Sequence, residues 1–142
     1  MKTLTMHFVI AAAALAAVAT GASAQTYKAD IPMAFRAGST LLPAGSYDFA
    51  MVDGSAARQV LRVRSRDGNE AVILLSSFRS DAPKAWRASS KPKVAFACAA
   101  HNCSLVELYD PREIYAYNFP AAKLPASEAD RASIIVNLTR AD

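Results

Sequence analysis

An all-β domain is what this chain predicts, and three observations carry the prediction. Apolar and polar residues alternate with a period of two along most of the sequence after residue 25. Turn chemistry punctuates that alternation at Pro43-Ala44-Gly45, Asp53-Gly54, Asp67-Gly68 and Asp110-Pro111. Long stretches with helical spacing are nearly absent. The expected architecture is a small antiparallel barrel or a two-sheet sandwich of about eight short strands. At most one short helix is expected near the C-terminus, opened by Ser127 and reaching Ala132. Closure removes exposed sheet edges, which favours the barrel form.

The first 24 residues stand apart. Lys2 is followed by an apolar run from Phe8 to Ala19, and small residues Ala22-Ser23-Ala24 close the segment. No Lys, Arg, Asp or Glu lies between Lys2 and Lys28. This is the layout of a secretory signal peptide, with cleavage after Ala24 and Gln25 as the new N-terminus. A spanning helix needs roughly 20 apolar residues, more than this run supplies, so no retained transmembrane helix is expected. No cysteine lies near the cleavage site to take a lipid. The chain is therefore expected to be exported, periplasmic or secreted, with residues 25–142 forming one β domain.

Strand expectations follow in order. Residues 27–35 carry Ile31, Met33 and Phe35 on one face, with Pro32 marking an edge or a bulge. A short extended piece over 39–42 ends at the Pro43 turn, and Tyr47, Phe49 and Met51 then alternate with Asp48 and Ala50. Residues 59–65 place Leu61 and Val63 on one face and Val60, Arg62 and Arg64 on the other. Asp67-Gly68 is the signal for a type I′ hairpin turn. The return strand, residues 70–78, is apolar on both faces at Val72-Ile73-Leu74-Leu75, which suggests a central strand covered on both sides. Residues 79–92 turn polar, predicting a surface loop with a short strand at 84–88 and Trp86 exposed. Residues 93–98 and 103–109 form a second hairpin, with Ala99-Ala100-His101-Asn102 reversing the chain. Tyr115, Tyr117 and Phe119 share a face of the next strand, and residues 133–139 close the fold.

Composition narrows the function classes. The whole chain has a formal net charge of +4, and losing Lys2 with the leader leaves +3. That mild excess, together with export, gives no ground for a nucleic-acid partner. Cys98 and Cys103 are the only cysteines. In an exported chain a close pair reads as a disulfide. The hairpin register sets the two directly opposite each other, with Phe96 opposite Leu105, at a separation a disulfide spans. The loop is short, so the stabilisation sits near 2 kcal/mol, about the low end for such bonds. His101 between them raises the alternative of a metal site, but the spacing is neither that of zinc pairs nor Cys-x-x-Cys, so neither a metal nor a cofactor is expected.

The phrases Asp30-Ile31-Pro32-Met33-Ala34-Phe35 and Leu42-Pro43-Ala44-Gly45-Ser46-Tyr47 resemble a group of small exported bacterial all-β proteins. In that group an "IPF"-like strand precedes "LPAGxY". The hairpin over residues 61–75 and the later Lys123-Leu124-Pro125-Ala126-Ser127 resemble their counterparts there. The group has no assigned activity, so the resemblance implies the fold and export and no mechanism.

Candidate chemistry is sparse. His7 leaves with the leader, so His101 is the only histidine of residues 25–142, and a hairpin tip is a poor seat for a catalytic triad. Glu107 and Glu113 flank a turn without a spacing that demands paired acids. No catalytic residue is assigned. Arg58, Arg62, Arg64 and Arg66 share strand parity and project from one face, with Arg62 and Arg64 about 7 Å apart. Such a row binds a polyanion, or else is a solvated face that discourages edge aggregation. The Tyr115, Tyr117, Phe119 row either stacks on sugar or belongs to the core, and core is the ordinary outcome for an aromatic strand face. The leading reading is a non-enzymatic exported β-domain that binds or scaffolds at the cell envelope, with an anionic polymer or polysaccharide as ligand. The alternatives are a small envelope hydrolase or redox-active protein, using Glu107 and Glu113 or the cysteine pair, and a β-barrel carrier of an apolar ligand.

Overall fold

The computed structural model describes residues 25–52, 58–121 and 131–141. The leader, the Asp53-Gly54 turn and the segment 122–130 lie outside the described residues. The described strands are β1 (Thr26–Ile31), β2 (Phe35–Ala37), β3 (Thr40–Leu42), β4 (Gly45–Val52), β5 (Val60–Ser65) and β6 (Ala71–Leu75). They continue with β7 (Phe78–Asp81), β8 (Lys93–Ala99), β9 (Asn102–Tyr109), β10 (Tyr115–Asn118), β11 (Arg131–Asn137) and β12 (Thr139–Arg140). One helix, α1 (Lys84–Ser89), lies between β7 and β8.

The described strands form two sheets, and among them no pairing closes a barrel. The front sheet runs β12-β1-β4-β5-β6 and the back sheet β11-β8-β9-β10-β7. The β2–β3 hairpin joins the back sheet through a single parallel bridge, Arg36 opposite Ser104. The barrel preference is thus corrected to a sandwich. Continuous chain turns the lateral corners instead: β6 leads into β7 through residues 76–77, and β11 into β12 through Leu138. Ser76 donates its N–H to Gln59 in front, while Ser77 donates to Asn118 behind. A corner of this kind joins the sheets without pairing their edges.

The same breaks raise the strand count above eight. Pro32 ends the expected 27–35 strand, because its ring nitrogen cannot donate to a ladder. The chain switches from front sheet to back there, and Tyr27, Ile31 and Phe35 all remain buried. Gly38 and Ser39 form a two-residue hairpin turn between β2 and β3. Gly38 takes φ +61°, and a Cβ there would come within 3.0 Å of Leu74 Cδ2, so both backbone and packing call for glycine. Buried Leu138 breaks the expected closing strand into β11 and β12.

The core lies between the sheets. Phe35 packs edge-on against both Tyr47 and Phe96, each with ring centroids 5.1 Å apart. Phe49, Leu61, Val63, Val94, Leu105 and Leu108 fill the space around them, fully buried. Tyr117 and Phe119 belong to this core, as expected for that aromatic row, while Tyr115 lies partly exposed under Arg79.

A second, smaller cluster covers the outer face of the back sheet. Trp86 of α1 packs on Ala82, Ala95, Tyr109 and Ala116, its ring 6.2 Å from that of Tyr109. Trp86 is only 8% exposed, so the expected exposed loop aromatic is a buried anchor, and the expected strand at 84–88 is helical. Small outward residues explain this: alanines at 95 and 116 leave room for an indole ring. The helix expected near the C-terminus is not found at Ala132, which lies in β11; residues 127–130 lie outside the described set.

Candidate anion-binding face

The β5–β6 hairpin carries the candidate site. Its register pairs Val60 with Leu75 through to Arg64 with Ala71, the alignment a turn centred on Asp67-Gly68 requires. The turn itself is not type I′, since Gly68 does not take positive φ. Instead Ser65 donates to the Glu70 carbonyl at 2.9 Å, and residues 66–69 form a four-residue loop. Alternation then points Leu61 and Val63 into the core and Arg62 and Arg64 out to solvent.

All four predicted arginines are exposed. Arg62 stands between Ala50 of β4 and Ile73 of β6, so its neighbours are small or apolar. Arg64 stands between Asp48 and Ala71. Arg66 lies beyond β5, where its Nε is 3.5 Å from the Asp48 carboxylate and its N–H donates to the Ser46 carbonyl at 2.9 Å. That ion pair is half exposed and contributes under about 1 kcal/mol. Arg58 precedes β5. Lys28 of β1 sits across from Asp48 and adds a fifth cation that sequence parity alone did not connect to the row. Antiparallel pairing of β1 with β4 was the missing information. Asp30 is occupied separately, as acceptor from the Ser46 hydroxyl.

Two polar hollows meet at Arg66. One, of about 420 Å³, is lined by Arg64, Arg66, Asp48 and Asn69 among others. The other, of about 440 Å³, is lined by Lys28, Asp30, Arg66, Asn137 and Thr139. Guanidinium, ammonium and amide donors therefore converge on adjoining hollows, with Asp48 and Asp30 as internal counter-charges. Among the described residues no carboxylate forms an ion pair with Arg62 or Arg64, and both side chains are exposed.

The other candidates are dispersed. Cys98 and Cys103 are disulfide-bonded, directly opposite in register with Cα atoms 4.0 Å apart, and buried. Ala99 pairs with Asn102, so only Ala100 and His101 reverse the chain rather than four residues, with Ala100 at φ 54°. His101 is exposed at that tip. Glu107 and Glu113 fall on opposite sides of the back sheet. A bulge at Val106 turns Leu108 into the core and Glu107 outward, in register with Ala95 beneath Trp86. Burial pushes the Glu107 carboxyl above its usual range. Glu113 instead accepts a hydrogen bond from the inward-facing Tyr117 hydroxyl.

One buried polar group was not anticipated. Asp110, at the end of β9, accepts from the Arg112 N–H at 2.9 Å and from its guanidinium at 2.5 to 3.0 Å. Burial alone would raise its pKa, but the bonds from Arg112 and from Tyr27 of β1 outweigh burial and hold it below the usual carboxylate range. Burial, with Asp110 alongside, pushes the Tyr27 hydroxyl up to about 12. The cluster fastens the front sheet to a turn of the back one. Asp110-Pro111 read only as a break in the sequence, because its partner Tyr27 is distant along the chain.

Among the described residues no helix is long and apolar enough to cross a membrane. No protein-family model, curated protein or solved structure matches the chain.

Proposed function

We propose that this chain is an exported, non-enzymatic β-domain that binds an anionic polymer of the bacterial envelope on the outer face of its front sheet. The observation that carries this reading is that Arg62 and Arg64 are exposed and without an ion pair among the described residues, with Arg64 lining one of the hollows at Arg66. Guanidinium forks match phosphate and carboxylate geometry, and a flat strand face offers repeated contacts to a repeating ligand. The buried Cys98–Cys103 bond is compatible with an oxidising compartment, and the leader-like first 24 residues supply the route there. The likeness to small exported bacterial proteins with "IPF…LPAGxY" strands supports the same address. Neither a cofactor nor a nucleic-acid partner enters the reading.

Purified lipopolysaccharide is the first probe, as a phosphate- and carboxylate-bearing envelope polymer. Titration calorimetry of residues 25–142 is expected to show binding that weakens steeply between 50 and 200 mM salt, as polyanion contacts do. Arg62→Glu/Arg64→Glu is expected to weaken it at least about tenfold, a loss of about 1.4 kcal/mol, with folding unchanged. Unchanged affinity in the double variant refutes the assignment of this face.

A further inference from the structure

Five of the described strands are paired on one side only, and four of them are very short or carry polar residues. The edge strands β12 and β3 have two and three residues; β11 carries Ser133 and Asn137; β7 carries Arg79 and Asp81. Short length and charge are the ordinary devices that keep a sheet edge from pairing with another chain. The fifth edge, β6, has neither device. Its five residues, Ala71-Val72-Ile73-Leu74-Leu75, are all apolar and uncharged. Contrary to the central position expected from that run, β6 pairs with β5 alone among the described strands. Ile73 is 68% and Leu75 52% exposed.

Backbone direction along β6 follows from its ladder. Ser65 with Glu70 and Gln59 with Ser76 are hydrogen-bonded pairs of the antiparallel register. Such pairs alternate, so residues 72 and 74 also bond to β5. The N–H and C=O groups of Ala71, Ile73 and Leu75 therefore point away from the sheet, unpaired by any described strand.

We infer that β6 is the seam of a two-fold dimer, in which a second copy of this chain adds its own β6 antiparallel across Ile73. The outward groups are self-complementary about that residue. Ile73 pairs with its symmetry mate, and Ala71 with Leu75 of the other copy, giving six backbone hydrogen bonds and one continuous ten-stranded sheet. Side chains on the outer face agree: Ile73 meets Ile73, and Ala71 leaves space for Leu75. Charge is compatible as well. The two Arg62 residues stand three strand spacings apart, about 14 Å, which exceeds the screening length of about 8 Å at physiological salt. Five residues a side bury less than about 1,200 Å², so the dimer belongs to the weak, concentration-dependent class. Both arginine rows then lie on the same side of the extended sheet.

Sedimentation equilibrium of residues 25–142 tests the inference. A monomer–dimer equilibrium is expected, with Ile73→Lys raising its dissociation constant about tenfold or more and Ile135→Lys, an exposed apolar position on β11, leaving it unchanged. Register is tested separately by oxidation. Ile73→Cys is expected to crosslink to its mate, since opposed residues of a hydrogen-bonded pair lie about 5.5 Å apart at Cα. Ala71→Cys is expected not to crosslink, because its mates are about 14 Å apart. A strict monomer at millimolar concentration overturns the inference, leaving the edge for a strand of another protein. A dimer that ignores Ile73→Lys, or that crosslinks through Ala71→Cys, overturns it equally.

Discussion

The two hairpins with the clearest sequence signatures end in opposite environments. The β8–β9 hairpin occupies the middle of the back sheet, with β11 and β10 beside it, the core on its inner face and α1 over part of its outer one. The β5–β6 hairpin ends the front sheet, with core on one face and solvent on the other. Hydrophobicity alone ranks them wrongly, since β6 is the more continuously apolar strand. Residue size separates them. On the outer side of β8 the small Ala95 admits Trp86, whereas on the outer side of β6 the large Ile73 and Leu75, beside Ala71, remain bare. Coverage of a sheet face is marked by small residues that let a neighbour approach; large exposed ones mark a face still waiting for a partner.

That contrast is most sharply broken by substitution in the β8–β9 region. Phe96→Ala removes a fully buried ring in contact with Phe35 and is expected to cost about 4 kcal/mol, read as a fall in the urea midpoint. Trp86→Ala should cost about 3 kcal/mol, because it uncovers Ala95, Ala116 and Tyr109 together. A loss below 1 kcal/mol would show that α1 merely rests on the sheet.

Removing both cysteines as Cys98→Ala/Cys103→Ala is expected to cost about 2 kcal/mol, measurable as a lower melting temperature in oxidised protein. Reductant should then affect only the parent chain.

The Tyr27–Asp110–Arg112 fastening at the far end of β9 gives the pH profile its sign. Asp110 is held below its unfolded value, so its contribution is present above the unfolded carboxylate range and is lost as pH falls through the folded pKa. Tyr27 is raised to about 12, so its contribution is full below the ordinary value of 10 and is lost as pH climbs toward 12. Denaturant titrations across pH should show both declines. Asp110→Asn should flatten the acid limb and reduce neutral-pH stability by about 2 kcal/mol.

The smallest effect belongs to the other hairpin. Ile73→Ala is expected to change the folding stability of the monomer by no more than about 0.5 kcal/mol, despite replacing a large apolar residue. A cost of 2 kcal/mol would mean that β6 is covered in solution.

Legibility followed the range of the forces involved. Strand identity, the alternation of Leu61 and Val63 against Arg62 and Arg64, and the Cys98–Cys103 register are local, and each was readable. Gly38-Ser39 is equally local, a two-residue turn dipeptide between β2 and β3. Sheet order was not readable. Whether β6 is central or terminal depends on which strands lie beside it, and nothing within Ala71–Leu75 encodes that. The Val106 bulge is similarly hidden, yet it moves Glu107 from the core side to the outer face of the back sheet. Of the candidate face, the four arginines were visible in the spacing, while Lys28, Asp48 and the hollows at Arg66 required β1 and β4 to be placed.

The central claim is that the bare outer face of the front sheet is the working face. Amide chemical-shift mapping of residues 25–142 titrated with lipopolysaccharide tests it most directly. Perturbations concentrated at Lys28, Arg62, Arg64, Arg66 and Asn69 are expected, with the amides around Trp86 and Ala95 unmoved. Shifts gathered around α1 and the back sheet would contradict the account.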